Sequence, residues 1–170
     1  AYWVAKEKEG FRVIAELPES WRFMLDTDLY YVFGRGGGPH TTKFDDRTWH
    51  AISIRRCWQS QGFPAKGPAQ YRVWFDVPAE VDPTQEIFLA FGSRGRSGAI
   101  GHVHINGNYT DSKYLSPDVS MINVSGYIKP GQRNLLNLLF LRGDEGPSGL
   151  MGQVKLLVRA KSPVPMQQGP

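Results

Sequence analysis

The chain reads as an all-β protein, a jelly-roll β-sandwich of two antiparallel sheets, on three observations. Short alternating or continuous apolar stretches recur along it, each bounded by Gly, Pro, Asn or Asp. Nineteen glycines and twelve prolines are spread at about the spacing of turns between short strands. Helical periodicity is almost absent, and about nine short strands without it favour two stacked sheets.

The first strands are expected at residues 11–17 (FRVIAEL) and, after a Pro-Glu-Ser turn, 21–25 (WRFML). Residues 34–39 (GRGGGP) then break the pattern. A phosphate-cradling loop needs a strand before it and a helix after it, and here Thr-Thr-Lys-Phe-Asp-Asp follows, so a flexible loop is expected. A strand at 49–54 comes next. Residues 70–77 (QYRVWFDV) alternate strictly, which puts Tyr71, Val73, Phe75 and Val77 on one face, and Pro78 ends the strand because proline cannot donate to the ladder. Further strands are expected at 86–91, 100–105, 121–128, 134–142 and 153–159. Asn106-Gly107 is a strong signal for a two-residue hairpin.

At 170 residues the chain suits one domain over 1–160, followed by a Pro-rich, polar, linker-like tail at 161–170. It is 41% hydrophobic and 12% aromatic, yet no run approaches the ~20 apolar residues a membrane helix needs, so no membrane partner is expected. The formal charge of +4 comes from scattered Lys and Arg rather than a basic stripe, which argues against nucleic acid. The lone Cys57 excludes an internal disulfide and is expected to be inert core. Ala1 opens on mixed aromatic and charged sequence without a signal peptide, as expected of a mature or excised fragment.

The order of motifs carries a resemblance. Asp45-Asp46 precedes Trp49, a Trp58-led loop follows, and Tyr71-Arg72 starts a strand that ends in Val77-Pro78. Then come Phe88-Leu89-Ala90-Phe91, Asn106-Gly107 and Gly131-Gln132-Arg133-Asn134. Over roughly residues 21–160 this resembles the sugar-binding domain of glycoside hydrolase family 2, within the galactose-binding-like β-sandwiches. The resemblance implies a helper module, because the catalytic carboxylates of such enzymes belong to a separate barrel of about 250 residues. It also implies a secreted setting, extracellular or periplasmic. Two departures touch the ligand side. Gln70 stands where the family commonly has tryptophan, and Ser93-Arg94-Gly95-Arg96 stands where an acidic residue often follows.

Following strand direction gathers the loops around 58–69, 93–101, 110–117 and 143–152 at one end of the sandwich. The candidate ligand-binding residues there are Trp58, Gln59, Gln61, Phe63, Arg94, Arg96, Asp111, Lys113, Tyr114, Asp144 and Glu145. Aromatic faces stack on the C–H face of a pyranose while amides, carboxylates and guanidinium groups bind its hydroxyls. Arg94, Arg96 and Lys113 also suit an anionic polysaccharide or oligosaccharide. Trp58, directly after a strand, is more often a core plug than a sugar platform, and Trp21, Trp49 and Trp74 read as core or sheet-face packing.

Other signals are thin. His102 and His104 share a strand face in the manner of a metal-binding His-x-His pair, but no Glu follows in 106–114 and no histidine comes later. There is no Gly-x-Ser-x-Gly elbow. Asp45 with Asp46, or Asp144 with Glu145, are adjacent on one loop and poorly disposed to flank a glycosidic bond. No cofactor is called for. A structural calcium is common in related sandwiches, with no ligands identifiable here. A non-catalytic carbohydrate-binding or substrate-positioning module leads. Two rivals stay open: a sandwich that packs on a neighbouring catalytic domain without binding sugar, and a jelly-roll enzyme using His102 and His104.

Overall fold

A computed structural model describes residues 1–33, 38–92, 96–110, 114–142 and 146–160. The proposed tail at 161–170 and the glycine run at 34–37 lie outside the described residues. In chain order the elements are α1 (Tyr2–Lys8), β1 (Phe11–Glu16), β2 (Ser20–Leu25), α2 (Tyr30–Phe33), β3 (His50–Ser53), β4 (Ala69–Asp76), β5 (Ile87–Ala90) and β6 (Arg96–Ser97). They continue with β7 (Ile100–Ile105), β8 (Asn108–Tyr109), β9 (Met121–Asn123), β10 (Arg133–Phe140), β11 (Gly149–Leu150) and β12 (Lys155–Arg159).

A four-stranded sheet, β1-β12-β5-β9, faces a six-stranded sheet, β3-β2-β4-β10-β7-β8, and β6 pairs with β11 in a small ribbon. All pairings are antiparallel, and the chain is an all-β sandwich as expected. The longest ladder joins β4 to β10 in a register that sets Tyr71 against Leu138 and Val73 against Leu136. Those side chains point inward and are buried. Full burial of each such apolar side chain contributes about 1.5–3 kcal/mol relative to exposure. Around them Phe23, Trp58, Tyr71 and Phe140 form an aromatic knot, with Phe23–Tyr71 and Tyr71–Phe140 centroids 5.0 and 5.1 Å apart.

The end of the sandwich opposite Trp58 is locked by two asparagines. Asn106 (φ 53°) and Gly107 (φ 83°) make the tight hairpin turn into β8, the left-handed pair that Asn-Gly tolerates. Asn106 Nδ2 donates to Asn134 Oδ1 at 2.8 Å and to Tyr127 O at 3.0 Å, while the backbone N of Leu135 donates to Asn106 Oδ1 at 2.9 Å. Asn134 Nδ2 in turn donates to Lys129 O and Gln132 O, so this wholly buried amide is satisfied. The motif asparagines are therefore structural.

Three differences from the sequence reading have local causes. The strand expected over 121–128 stops at Asn123, because a turn follows with Gly126 at φ 87°. Cys57 is half-buried rather than core. Helix α1 was not anticipated. Its Ala, Lys and Glu favour helix and Gly10 (φ 95°) terminates it, yet it spans barely two turns. It covers an outer-face cluster of Phe11, Phe88, Ala90 and Leu157 with Tyr2 and Trp3.

Candidate functional site

The described parts of the loops expected to share one end do so, and their own side chains fasten them together. Trp58 enters a 3-10 turn at Gln59–Gln61 that closes at Gly62 (φ 96°). Its backbone N donates to Ser148 O at 3.0 Å and its indole Nε1 to Ala65 O at 2.8 Å. Gln59 Oε1 accepts from the backbone N of Ser148 at 2.9 Å, and Gln59 Nε2 donates to Gly146 O at 3.3 Å. Gln61 does the same for the preceding loop, accepting from Ser53 N and donating to Ser53 O, both at 2.8 Å, and to Arg56 O at 2.9 Å.

Arg96 is the centre of this end. Only 6% exposed, it donates from Nη1 to Gly98 O at 2.6 Å and from Nη2 to Ser116 O and to Val119 O, the latter at 2.8 Å. Its guanidinium lies 5.5 Å from the Phe91 ring centroid, and Nε is buried without a partner. Burial pulls its pKa down to about 10, against the opposing pull of Asp118. An isolated bridge, Ile100 to Leu115, ties the same two loops.

The expected contact residues therefore divide. Trp58 is wholly buried, so its indole has no face for a saccharide, and the core-plug alternative holds. Arg96 is likewise spent on backbone carbonyls rather than directed at solvent. Gln59 and Gln61 stitch loops, and Phe63 is half-buried, packed 4.9 Å from Phe23 and 5.0 Å from His50. Tyr114 stands out at 59% exposed. Arg94, Asp111, Lys113, Asp144 and Glu145 lie outside the described residues.

A polar layer on the outer face of the six-stranded sheet was missed by the sequence reading. Strict alternation points Gln70, Arg72 and Trp74 away from the core, yet Gln70 and Arg72 are buried, Gln70 against Asp26 and Arg72 against residues 39–46 of the connection from β2 to β3. Arg72 holds that connection down with bonds from Nε to Pro39 O at 2.9 Å, from Nη2 to Thr41 O at 2.8 Å and from Nη1 to Asp46 at 2.6 Å. Asn137 donates to Gln70 at 3.0 Å, and Gln70 donates to the Asp26 carboxylate at 3.2 Å. The available signal was the length of 26–49, since long connections in small domains usually cover something.

On the same face His102 and His104 lie side by side, with ring centroids 5.8 Å apart, and His40 packs 5.0 Å from His104. Burial, with His40 and His102 beside it, pushes the His104 pKa down to about 4 and keeps the ring neutral. Among the described residues no group of three or more His, Cys, Asp or Glu side chains is placed to hold a metal. The Asp45–Asp46 pair is split between two arginines. Arg47 holds Asp45 down to about 2, and Asp46 pairs with Arg72. A general acid would need the opposite shift.

No protein-family model matches the sequence, and no curated protein does. Solved structures do match. The β-glucuronidase from Ruminococcus gnavus in complex with D-glucuronic acid aligns with a TM-score of 0.68 at 16% identity, over 89% of this chain and 30% of that one. Its complex with D-glucaro-δ-lactam gives 0.67 and 16% over 89% and 30%, and the apo enzyme gives 0.67 and 16% over 89% and 29%. What is shared is the fold. The chain spans about 30% of the length of the enzymes it matches.

Proposed function

We propose that this chain is a non-catalytic β-sandwich module of a glycoside-cleaving enzyme, working outside the cytoplasm, that holds a saccharide at its loop end. The observation that carries the reading is the pre-fastening of that end. Arg96, Gln59, Gln61 and Trp58 cross-tie the described parts of its loops, which lowers the ordering cost of binding there. Tyr114 stands exposed at the same end, where a phenol ring can stack on a pyranose. The fold shared with β-glucuronidases supports the enzyme context.

Affinity electrophoresis through gels loaded with a panel of polysaccharides tests this. At least one should retard the wild-type chain, and Tyr114→Ala should weaken that retardation about fivefold, the value of about 1 kcal/mol of stacking. No retardation by any polysaccharide removes the proposal.

One feature favours packing on a neighbouring domain as a second role. A groove of about 490 Å³ runs between α1 and β1, lined by Trp3, Val4, Val13 and Leu157, with Val4 53% and Val13 45% exposed. The two valines with Trp3 and Leu157 make a small apolar patch rimmed by Lys6, Glu7, Arg12 and Lys155, a surface that a neighbouring domain can cover.

A further inference from the structure

Where residues 38–46 meet β7 and β8, three of the four histidines of the chain come together. His102 and His104 share one face of β7 with ring centroids 5.8 Å apart, and His40 stacks on His104 at 5.0 Å. Tyr109 of β8 closes the group, 5.5 Å from His104 and 5.8 Å from His102. The three imidazoles line a pocket of about 170 Å³ on the outer face of the six-stranded sheet.

The surroundings suit neutral rings only. Tyr31 faces the cluster from the same connection as His40, Gln70 from β4, Tyr109 from β8 and Asn137 from β10, and no described carboxylate lines the pocket. The carboxylates that reach this layer are engaged elsewhere: Asp26 accepts from Gln70 and from the backbone N of Tyr31, and Asp46 pairs with Arg72. His104 Nδ1 is buried without a hydrogen-bond partner, so a proton placed there would make a cation with no counterion. Burial and the two neighbouring imidazoles hold the His104 pKa down to about 4, in keeping with that geometry.

Imidazole is the side chain that changes charge between about pH 5 and 8. A proton on His40 or His102 sets a cation against His104, and His104 takes its own proton readily only once the stack has parted. A state in which His40 lifts from β7 therefore binds protons that the closed state refuses, and acid favours it. The ties that oppose this opening are the Arg72 bonds to Pro39 O and Thr41 O, on either side of His40, and a guanidinium keeps its charge throughout this range.

We propose that His40, His102 and His104 form an acid-sensitive latch: neutral, they close residues 38–46 onto the six-stranded sheet, and protonated, they release that stretch and uncover Gln70 and Arg72. The latch does not depend on the loop-end reading, since none of its residues belongs to that end.

Hydrogen–deuterium exchange on the full 170-residue chain tests it, with rates corrected for the intrinsic pH dependence of exchange. Between pH 7 and pH 5 the amides of residues 38–46 should lose about tenfold in protection, below the hundredfold that uptake of one whole proton over two pH units allows. Their exchange should be indifferent to low urea, as in a local opening, whereas exchange from the β4–β10 ladder should speed up with urea. His104→Gln should remove the pH response and His40→Gln should shrink it, and both positions are half-buried rather than core. His50→Gln, at the exposed histidine outside the cluster, should respond as the wild type does. The proposal is overturned if residues 38–46 are equally protected at both pH values, if their exchange shows the urea dependence of the ladder, if either cluster variant keeps the wild-type response, or if His50→Gln removes it.

Discussion

Replacing Arg96 by Met should unfasten the loop end while leaving the sandwich folded. Methionine keeps an apolar stem over Phe91 but removes the donors that serve Gly98 O, Ser116 O and Val119 O. Hydrogen bonds from a charged donor contribute about 1.5–3 kcal/mol each, so three amount to about 4.5–9 kcal/mol gross. Burying the guanidinium costs several kcal/mol, the same penalty that pulls its pKa down to about 10. The net loss is then about 2–4 kcal/mol. For a chain of this length that lowers Tm by about 4–16 °C. Thermal melting by circular dichroism reads the shift, and urea titration should give a lower midpoint at unchanged slope. Arg96→Lys should fall between the two, since one ammonium cannot fork to carbonyls from two loops. A Tm within about 2 °C of wild type for Arg96→Met would show that the guanidinium is an ordinary solvated charge and that the loops are held by something else.

Two further outcomes follow from the same structure. Gly149 sits at φ 102°, and a methyl group there would lie 2.8 Å from Trp58 Cε3 and against the Tyr71 hydroxyl, so Gly149→Ala should cost about 2–4 kcal/mol in urea denaturation. A near-neutral result would mean the β6–β11 ribbon has slack. His104 titrates at about 4 folded against 6.5 unfolded, so the unfolded chain binds the extra proton and stability falls as pH drops from 6.5 towards 4. The full linkage of about 3 kcal/mol, discounted for partial exposure of the ring, leaves about 1–2 kcal/mol. His104→Leu should flatten that part of the profile, and a profile identical to wild type would exclude His104 as its source.

The strand pattern was legible because burial on one face of a sheet writes a period of two into the sequence. Residues 70–77 showed which side chains point inward, and Asn106-Gly107 announced its turn through the left-handed dihedrals only such residues adopt readily. The grouping of loops at one end also followed from strand direction alone. Trp58 was ambiguous, since a tryptophan at a strand exit plugs a core or offers a platform depending on what the next loops do. Here Ser148, Ala65 and Gln59 close over it.

The all-β class, the inward faces and the end at which the loops meet were all readable from residue order, because these rest on local periodicity and chain direction. Only the tertiary fold shows that Arg96 is a buried tie and that Arg72 is buried against residues 39–46. Whether a guanidinium is buried, paired or open depends on residues dozens of positions away, and no local pattern encodes that distance.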